Sequence, residues 1–234
     1  MVTELVNNAR VIGGVTRRCS QRATGLCKTF VTAECIPSNA RTAEMCKLTE
    51  NSFRDVNIAV TNELSVICDK FAINAWGLIR LANRCPRVDI LQQGPGGGGH
   101  YIAVDPWFIV AKNAGEARLI RPARIVNDHK PMQVIDKIKK TAARFRQPRI
   151  ACLGVSFKAD IDDLRESLAP NIVKHLKEEA VGELFVVEPH FEEMLASLHA
   201  DHVQLLSLNA AIHEPTSWCC SSTTKPSMTS HATS

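Results

Sequence analysis

Residues 39–70 read NARTAEMCKLTENSFRDVNIAVTNELSVICDK and predict the longest helix of the chain. Ser38 or Asn39 can cap its first turn, and few helix-breaking residues follow before Lys70. An apolar stripe recurs at spacings of three, four and seven residues and consists of Phe53, Val56, Val60 and Ile67. Another face carries polar side chains at steps of three and four, namely Glu44, Lys47, Asn51 and Asp55. The stretch therefore predicts a long helix with two chemically different faces.

The sequence pattern changes from helical to strand-helix-strand after Pro148. Residues 150–155 form a short apolar run, residues 162–179 predict a loop followed by a helix, and residues 183–189, ELFVVEP, predict a second buried strand. Strand, helix and strand in this order are typical of a βαβ unit and hence of a parallel sheet. We expect a domain boundary in the basic segment 144–149, between a helical part and an α/β part.

The two ends of the chain carry weaker signals. Residues 10–12 predict a short strand that has nothing to pair with, and a loop is expected at residues 35–40. At the other end, residues 214–234 have no apolar periodicity and predict an aberrant, disordered tail.

Composition excludes several classes of protein. The chain has 234 residues, of which 45% are hydrophobic and 22% are charged, so it can bury a substantial core. The net charge of +4 is spread along the chain, which gives no support for a nucleic-acid partner. Its nine cysteines include no C-x-x-C pair, so no metal site is expected. No signal peptide and no apolar run of membrane-spanning length are present, and we expect a cytoplasmic protein without membrane contact.

A glycine-rich loop, GPGGGGHYIAVDP, spans residues 94–106. Its spacing satisfies G-x-G-x-x-G, but the dinucleotide motif must leave a strand and open a helix, and HYIAVDPWFIV is not expected to start one. A flexible linker is also a poor interpretation, because apolar residues flank the loop on both sides. The remaining interpretation is a loop packed against a ligand or against another backbone segment.

Four polar residues are candidates for a functional role. Lys47 and Asn51 lie four residues apart on one helix face, which is typical of a solvated stripe but also fits a pair that stabilises oxyanion charge in a cleft. Arg165 precedes a predicted helix, where it can cap the helix or support anion binding. Lys158 follows the first apolar strand, on the side where parallel sheets bind ligands.

Three long stretches together resemble the UDP-glucose/GDP-mannose dehydrogenase family, and the similarity extends over residues 4–213. They are RTAEMCKLTENSFRDVNIAVTNELS, NRCPRVDILQQGPGGGGHYIAVDPWFIV and GVSFKADIDDLRES. The match is closest to the branch that acts on UDP-N-acetyl-D-mannosamine. The resemblance implies NAD-dependent oxidation of the C6 alcohol of a UDP-sugar to the uronate, by two hydride transfers through a cysteine thioester. It also implies an α/β fold in which a central all-helical domain forms a homodimer through the long helix, followed by a truncated Rossmann-like parallel-sheet domain.

The same resemblance assigns roles to individual residues. Lys47 and Asn51 match the residues that hold and polarise the reacting oxygens, and Asp105 matches an aspartate that assists hydrolysis. Arg165 matches a contact to the NAD phosphates. The matched substrate contacts, apart from Lys47 and Asn51, are Arg54, Arg87, Gly98, Phe157 and Lys158, and Arg87 is expected to reach across the dimer interface.

Two departures from the family pattern bear on activity. Tyr101 stands at the position of the nucleophilic cysteine, and Cys85 stands at the position of a family histidine. A phenol with a reference pKa of about 10 cannot replace a thiolate in forming a cleavable acyl intermediate. We therefore expect an inactive fragment whose N-terminal NAD-binding domain is largely missing.

This interpretation divides the chain into four parts. Residues 1–15 are expected to be a remnant of the NAD-binding domain, residues 16–146 the helical dimerisation and substrate domain, residues 147–213 the truncated UDP-sugar-binding domain, and residues 214–234 the tail. A non-catalytic module that dimerises or binds a UDP-sugar is the alternative function. A basic binding protein unrelated to sugars is a third.

Overall fold

The computed structural model describes residues 2–92, 94–96, 101–156, 167–188, 198–213 and 217–220. The helices in this part of the chain are α1 Val2–Asn7, α2 Arg17–Cys27, α3 Ala40–Lys70, α4 Ala75–Ala82, α5 Asp105–Lys112, α6 Ile120–Ala142, α7 Ala169–Glu178 and α8 Leu208–His213. The strands are β1 Arg10–Gly14, β2 Cys35–Asn39, β3 Arg149–Leu153, β4 Glu183–Val187, β5 Val203–Leu205 and β6 Ser217–Cys220. Parallel strands and a long central helix confirm the α/β fold class.

Helix α3 begins where the sequence predicts. Asn39 is its N-cap, and the Asn39 side-chain oxygen accepts a hydrogen bond from the Thr42 N–H at 2.9 Å. This bond satisfies one of the donors that a helix leaves open at its start, and Asn39 therefore fixes the first turn. With 31 residues the helix is about 46 Å long, at a rise of ~1.5 Å per residue.

On helix α3 the polar face is buried and the apolar face is exposed to solvent. Three residues of the predicted apolar stripe are exposed: 68% of Phe53, 48% of Val60 and 42% of Ile67. The buried residues of the helix are mostly polar, namely Asn51, Ser52, Asp55, Ala59, Thr61, Asn62, Ser65 and Cys68. Helix α3 thus packs inside the chain through a polar face and leaves an apolar face open.

A polar network joins α3 to α6. The Arg124 guanidinium donates to the Asp55 carboxylate at 2.5 Å and to Asp128, and the Asn127 amide donates to the same Asp55 oxygen at 2.8 Å. Two turns further along α3, the Asn62 amide donates to the Asn127 side-chain oxygen at 2.9 Å. Asp55, Asn62 and Asn127 are fully buried, so hydrogen bonds between side chains hold this helix pair together where apolar packing is usual.

A two-stranded parallel sheet near the N-terminus corrects two predictions. The strand at residues 10–12 is not unpaired, because β1 pairs with β2, from Arg10 opposite Cys35 to Gly14 opposite Asn39. The loop predicted at residues 35–40 is therefore a strand. Its core is small and consists of Ile12, Val31 and Cys35. Because α2 packs on this sheet, the pairing favours a domain boundary after Asn39; the division at residue 15 stays a prediction.

The second sheet has four parallel strands in the order β5-β4-β3-β6. The predicted βαβ unit is β3, α7 and β4, with Ile150 opposite Leu184 at the sheet centre. Helices α6 and α7 cover one core of buried apolar side chains, among them Ile135, Ile172 and Leu176. The order places the first strand of the unit between the second and the fourth, as in a Rossmann-type half-sheet.

Strand β6 corrects the prediction of a wholly disordered tail. Ser217–Cys220 pair in parallel with Ile150–Leu153 and complete one side of the sheet. The rest of the predicted tail, residues 214–216 and 221–234, lies outside the described residues. Four residues with the sequence SWCC are too short to show a period, which explains why the strand has no recognisable sequence signal.

The helices around the glycine-rich loop also differ from expectation. The stretch HYIAVDPWFIV does open a helix, because α5 begins at Asp105 with an acidic residue in its first turn and a proline at an N-terminal position. Both features favour a helix start. Helix α6 runs through a proline, because Pro131 lies inside it.

Candidate functional site

Asn51 of α3 and Asp105 of α5 are 54 residues apart in the sequence and are in contact in the structure. The Asn51 amide donates a hydrogen bond to the Asp105 carboxylate at 2.5 Å. The two residues are 5% and 7% exposed. A buried carboxylate held by an amide keeps a fixed orientation and a second oxygen that can accept another proton donor. The pair is therefore suited to orienting a hydroxyl group or a water molecule.

Tyr101 lies at the entrance to α5. Its backbone oxygen accepts hydrogen bonds from the N–H groups of Val104 at 3.1 Å and Asp105 at 2.8 Å, which forms the turn that leads into the helix. The Tyr101 residue is 66% exposed. The backbone of Tyr101 thus helps to place Asp105, while its side chain faces solvent.

The predicted basic residues are exposed in this chain. The Lys47 side chain is 63% exposed and lies 3.8 Å from the Glu50 carboxylate. Arg54, Arg87 and Cys85 are exposed as well. The structure brings Asn51 and Asp105 together and leaves Lys47 and the arginines open to solvent, where a ligand can reach them. Their roles stay predictions.

Four further predicted site residues, Gly98, Phe157, Lys158 and Arg165, lie outside the described residues.

Three polar side chains that we did not single out hold the approach to the glycine-rich loop. Asn57 of α3 donates to the Asp89 carbonyl at 2.8 Å and accepts from the Leu91 N–H at 3.0 Å. Asn83 makes the same two-sided contact to Ile90, with both bonds at 2.9 Å. Thr61 donates to the Leu91 carbonyl at 2.9 Å. Side-chain amides replace the partners that a neighbouring strand would supply, so residues 89–91 are fixed to α3 and α4.

Gly96 shows why this loop needs glycine. Its backbone φ is +153°, a conformation that L side chains rarely adopt. A Cβ atom there would lie 3.1 Å from the Asn127 carbonyl oxygen of α6 and 2.4 Å from Cδ1 of Leu168. At Gly96 the loop is therefore packed against another backbone segment, which is one of the two possibilities that the sequence left open.

Gly96→Ala is expected to lower the free energy of unfolding by about 1–3 kcal/mol, because it adds backbone strain and a steric clash. Chemical denaturation followed by circular dichroism measures the change. Gly94→Ala is the matched control, since a Cβ at Gly94 meets only the Gly96 carbonyl oxygen at 3.7 Å. Equal stability of the two variants would contradict the role of Gly96.

Two buried ionisable groups, Asp55 of α3 and Lys130 of α6, have shifted pKa values. Burial has the largest influence on the pKa of the Asp55 carboxyl and raises it, while Arg124 and Asn127 act in the opposite direction. Burial lowers the pKa of the Lys130 amine, which donates to the Ser65 hydroxyl, and Asp69 partly offsets this effect. In the described part of the chain, no group of three or more His, Cys, Asp or Glu could hold a metal ion.

Family profiles match two parts of the chain. The central domain of the UDP-glucose/GDP-mannose dehydrogenase family matches residues 41–129, which contain α3, the glycine-rich loop and α5. The UDP binding domain of the same family matches residues 151–220, which run from within β3 to the end of β6. The chain belongs to the UDP-glucose/GDP-mannose dehydrogenase family. The central-domain match begins at residue 41, two residues after Asn39, which caps α3 and ends β2.

Relatives with known names agree with this assignment. An NDP-N-acetyl-D-galactosaminuronic acid dehydrogenase of Ralstonia solanacearum is 58% identical over 212 residues, which are 91% of this chain and 50% of the relative. A UDP-N-acetyl-D-mannosamine dehydrogenase of Yersinia pestis is 58% identical over 206 residues, 85% of this chain and 49% of the relative. The chain spans about half the length of the curated relatives that it matches.

Solved structures show the same arrangement. The UDP-N-acetyl-mannosamine dehydrogenase of S. aureus aligns with a TM-score of 0.79 and 40% identity, over 94% of this chain and 51% of the other. The corresponding enzyme of Pyrococcus horikoshii aligns with a TM-score of 0.80 and 32% identity over the same shares. The helical part and the parallel sheet therefore follow one another here as they do in these enzymes.

Within the described residues, no helix is both long enough and apolar enough to cross a membrane.

Proposed function

We propose that this chain is the dimerising and UDP-sugar-binding part of a dehydrogenase that oxidises the C6 alcohol of UDP-N-acetyl-D-mannosamine, and that it does not complete the reaction by itself. The observation that carries the proposal is the buried Asn51–Asp105 pair, at the meeting point of the family's central helix and the glycine-rich loop. The Ralstonia solanacearum and Yersinia pestis relatives differ in the sugar that their names give, so the choice of sugar depends on the resemblance described above.

Asp105 and Lys47 have different roles in this proposal. The Asp105 carboxylate, oriented by Asn51, can accept a proton from a hydroxyl group or from the water that hydrolyses an acyl intermediate. Lys47 lies one helical turn before Asn51, and its ammonium group can stabilise negative charge that develops on the sugar oxygen. Both functions require only hydrogen bonding and charge, which this chain retains.

The covalent step is the part that the chain lacks. A thioester needs a thiolate, and the residue at that position is Tyr101. The Tyr101 side chain offers a phenol in place of a thiol, and a phenol cannot form the thioester. Even with a bound aldehyde, oxidation to the acid by the family mechanism would stop here.

NAD is the hydride acceptor that the family reaction requires. The residue that we expect to contact its phosphates, Arg165, lies outside the described residues. The β1–β2 sheet consists of two parallel strands joined through α2. The connection from β1 to α2 does not contain the phosphate-binding G-x-G-x-x-G motif. The described residues therefore do not make a complete dinucleotide site, and we derive no step through NAD.

Calorimetry with UDP-N-acetyl-D-mannosamine tests binding, and a coupled assay with NAD tests turnover. The chain is expected to bind the nucleotide sugar and to produce no aminouronate. Lys47→Ala should weaken binding about 10-fold or more, because a charge-assisted hydrogen bond is lost. Lys70→Ala, at the exposed far end of the same helix, is the matched control. Absence of any binding would refute the proposal, and formation of the aminouronate would refute the inactivity.

A second candidate function is a module that dimerises without binding a sugar. The exposed apolar face of α3 favours it, since Phe53, Val60 and Ile67 have no partner that covers them within the described chain. A dimer in solution together with no UDP-sugar binding would support this function over the first.

A further inference from the structure

Asn83 closes a short loop between α4 and the glycine-rich loop. It is the C-cap of α4, and its side-chain amide both donates to the Ile90 carbonyl and accepts from the Ile90 N–H, each at 2.9 Å. Inside the loop, the Val88 N–H donates to the Cys85 carbonyl at 3.0 Å and forms a turn. Residues 84–89 therefore form a loop whose two ends are tied together by one side chain.

Helix α3 fixes the base of the same loop. The Asn57 amide donates to the Asp89 carbonyl at 2.8 Å and accepts from the Leu91 N–H at 3.0 Å. The Thr61 hydroxyl donates to the Leu91 carbonyl at 2.9 Å. Residues 89–91 thus have five hydrogen bonds to side chains of α3 and of the α4 cap, although backbone at a surface can bond to water instead. The loop is held in one position relative to both helices.

The loop carries two arginines with open guanidinium groups. Arg84 and Arg87 are exposed, and neither side chain has a hydrogen bond or an ion pair within the described residues. Arg84 directly follows the α4 cap, whereas Arg87 occupies a central position of the turn from Cys85 to Val88. A guanidinium is charged at neutral pH, and its planar fork matches the oxygens of a phosphate group. The diphosphate is the part of a nucleotide sugar that suits this chemistry.

Asn57 lies on the exposed apolar face of α3. It is four residues after Phe53 and three residues before Val60, so it shares their side of the helix. The loop that Asn57 holds therefore lies beside the surface that a second copy of the chain would cover. This location agrees with the expectation that Arg87 reaches across a dimer interface.

Preorganisation gives these hydrogen bonds a function beyond local stability. A long cationic side chain on a mobile loop loses both backbone and rotamer freedom when it binds a ligand, and this loss weakens the affinity. On a loop that is already held at its base, the arginine loses mainly side-chain freedom. The bonds to residues 89–91 can therefore strengthen binding by Arg87, although none of them involves the arginine itself.

We infer that Asn83 and Asn57 are positioning residues: they hold the loop 84–89 so that Arg87 can bind the diphosphate of the nucleotide sugar. The inference rests on the proposed function, because it assumes that the chain binds a UDP-sugar and that Arg87 contacts it. Asn83 and Asn57 act only through the backbone of residues 89–91.

A double-mutant cycle separates positioning from general stability. Arg87→Ala is expected to raise the Kd for UDP-N-acetyl-D-mannosamine at least about 10-fold in calorimetry, and Asn83→Ala about fivefold. The double variant should have the Kd of Arg87→Ala within about twofold, because the asparagine then has no arginine to position. A purely structural asparagine would instead multiply the two losses. Asn57→Ala should raise the Kd about as much as Asn83→Ala does, and amide hydrogen exchange at Ile90 should accelerate in Asn83→Ala.

Asn74→Ala is the matched control. Asn74 caps the other end of α4, where its side-chain oxygen accepts from the Gly77 N–H at 3.2 Å. This variant also loses a side-chain hydrogen bond to backbone at an end of α4, and it should keep the Kd of the unmodified chain within about twofold.

Three results would overturn the inference alone. They are unchanged affinity in folded Asn83→Ala and Asn57→Ala, unchanged affinity in Arg87→Ala, and a double variant in which the two losses multiply. Absence of UDP-N-acetyl-D-mannosamine binding by the unmodified chain would overturn the proposed function and the inference together.

Discussion

Asp55→Ala is expected to lower the free energy of unfolding by about 3–5 kcal/mol, the range for breaking a buried ion pair by removing one partner. The substitution leaves the guanidinium of Arg124, which is 2% exposed, without its partner on α3. The Asn127 amide loses the same carboxylate oxygen. Urea denaturation followed by circular dichroism measures the loss.

Asp69→Ala is the control for this effect. Asp69 lies on the same helix and pairs with Lys137 of α6 at 2.8 Å, but both side chains are more than half exposed. Its removal should change stability by no more than about 1 kcal/mol, because water screens such pairs. If Asp55→Ala and Asp69→Ala had equal effects, the buried network would not be what joins α3 to α6.

The local parts of this fold were predictable from sequence because their signals are local. Asn39 has the side chain and the position of a helix cap, and the two runs at residues 150–155 and 183–189 have the length of buried strands. The pairing of β1 with β2 was not predictable from propensity, because β2 has the sequence CIPSN, in which proline, serine and asparagine are typical of loops. Parallel pairing with β1 overrides that preference.

The candidate site shows the same limit. Spacing alone placed Lys47 and Asn51 on one helix face, but it could not distinguish a solvated stripe from a buried one. The distinction depends on α6 and α5, which reach α3 from more than 50 positions away and bury Asp55 and Asn51. The role of Asp105 came from family resemblance, and the hydrogen bonds of Asn57 and Asn83 to backbone groups had no sequence signal.

Tertiary packing also explains why a polar face is buried on α3. A helix that must interact on two sides can use hydrogen bonds toward one partner and apolar contacts toward another. Here α6 takes the polar side, and the described part of the chain leaves the apolar stripe uncovered. Such a surface is unfavourable in water and is typical of an interface.

Phe53→Glu is expected to dissociate a homodimer formed through α3, with a rise of at least about 100-fold in the dimer Kd. We propose a second copy of this chain as the occupant because Phe53, Val60 and Ile67 recur at intervals of seven residues, the spacing of a seam between two helices. A glutamate in that seam would leave a charge without a partner in an apolar interface, which costs several kcal/mol in each subunit. Sedimentation equilibrium over a range of concentrations measures the Kd.

Leu26→Glu distinguishes a specific seam from a general effect of added charge. Leu26 of α2 is 67% exposed, almost the same as Phe53, but it lies on a different helix. This variant should have the same dimer Kd as the unmodified chain, whereas Val60→Glu should behave like Phe53→Glu because Val60 lies two turns along the same stripe. A chain that is monomeric at every concentration, or a Phe53→Glu variant that stays dimeric, would exclude self-association through this face.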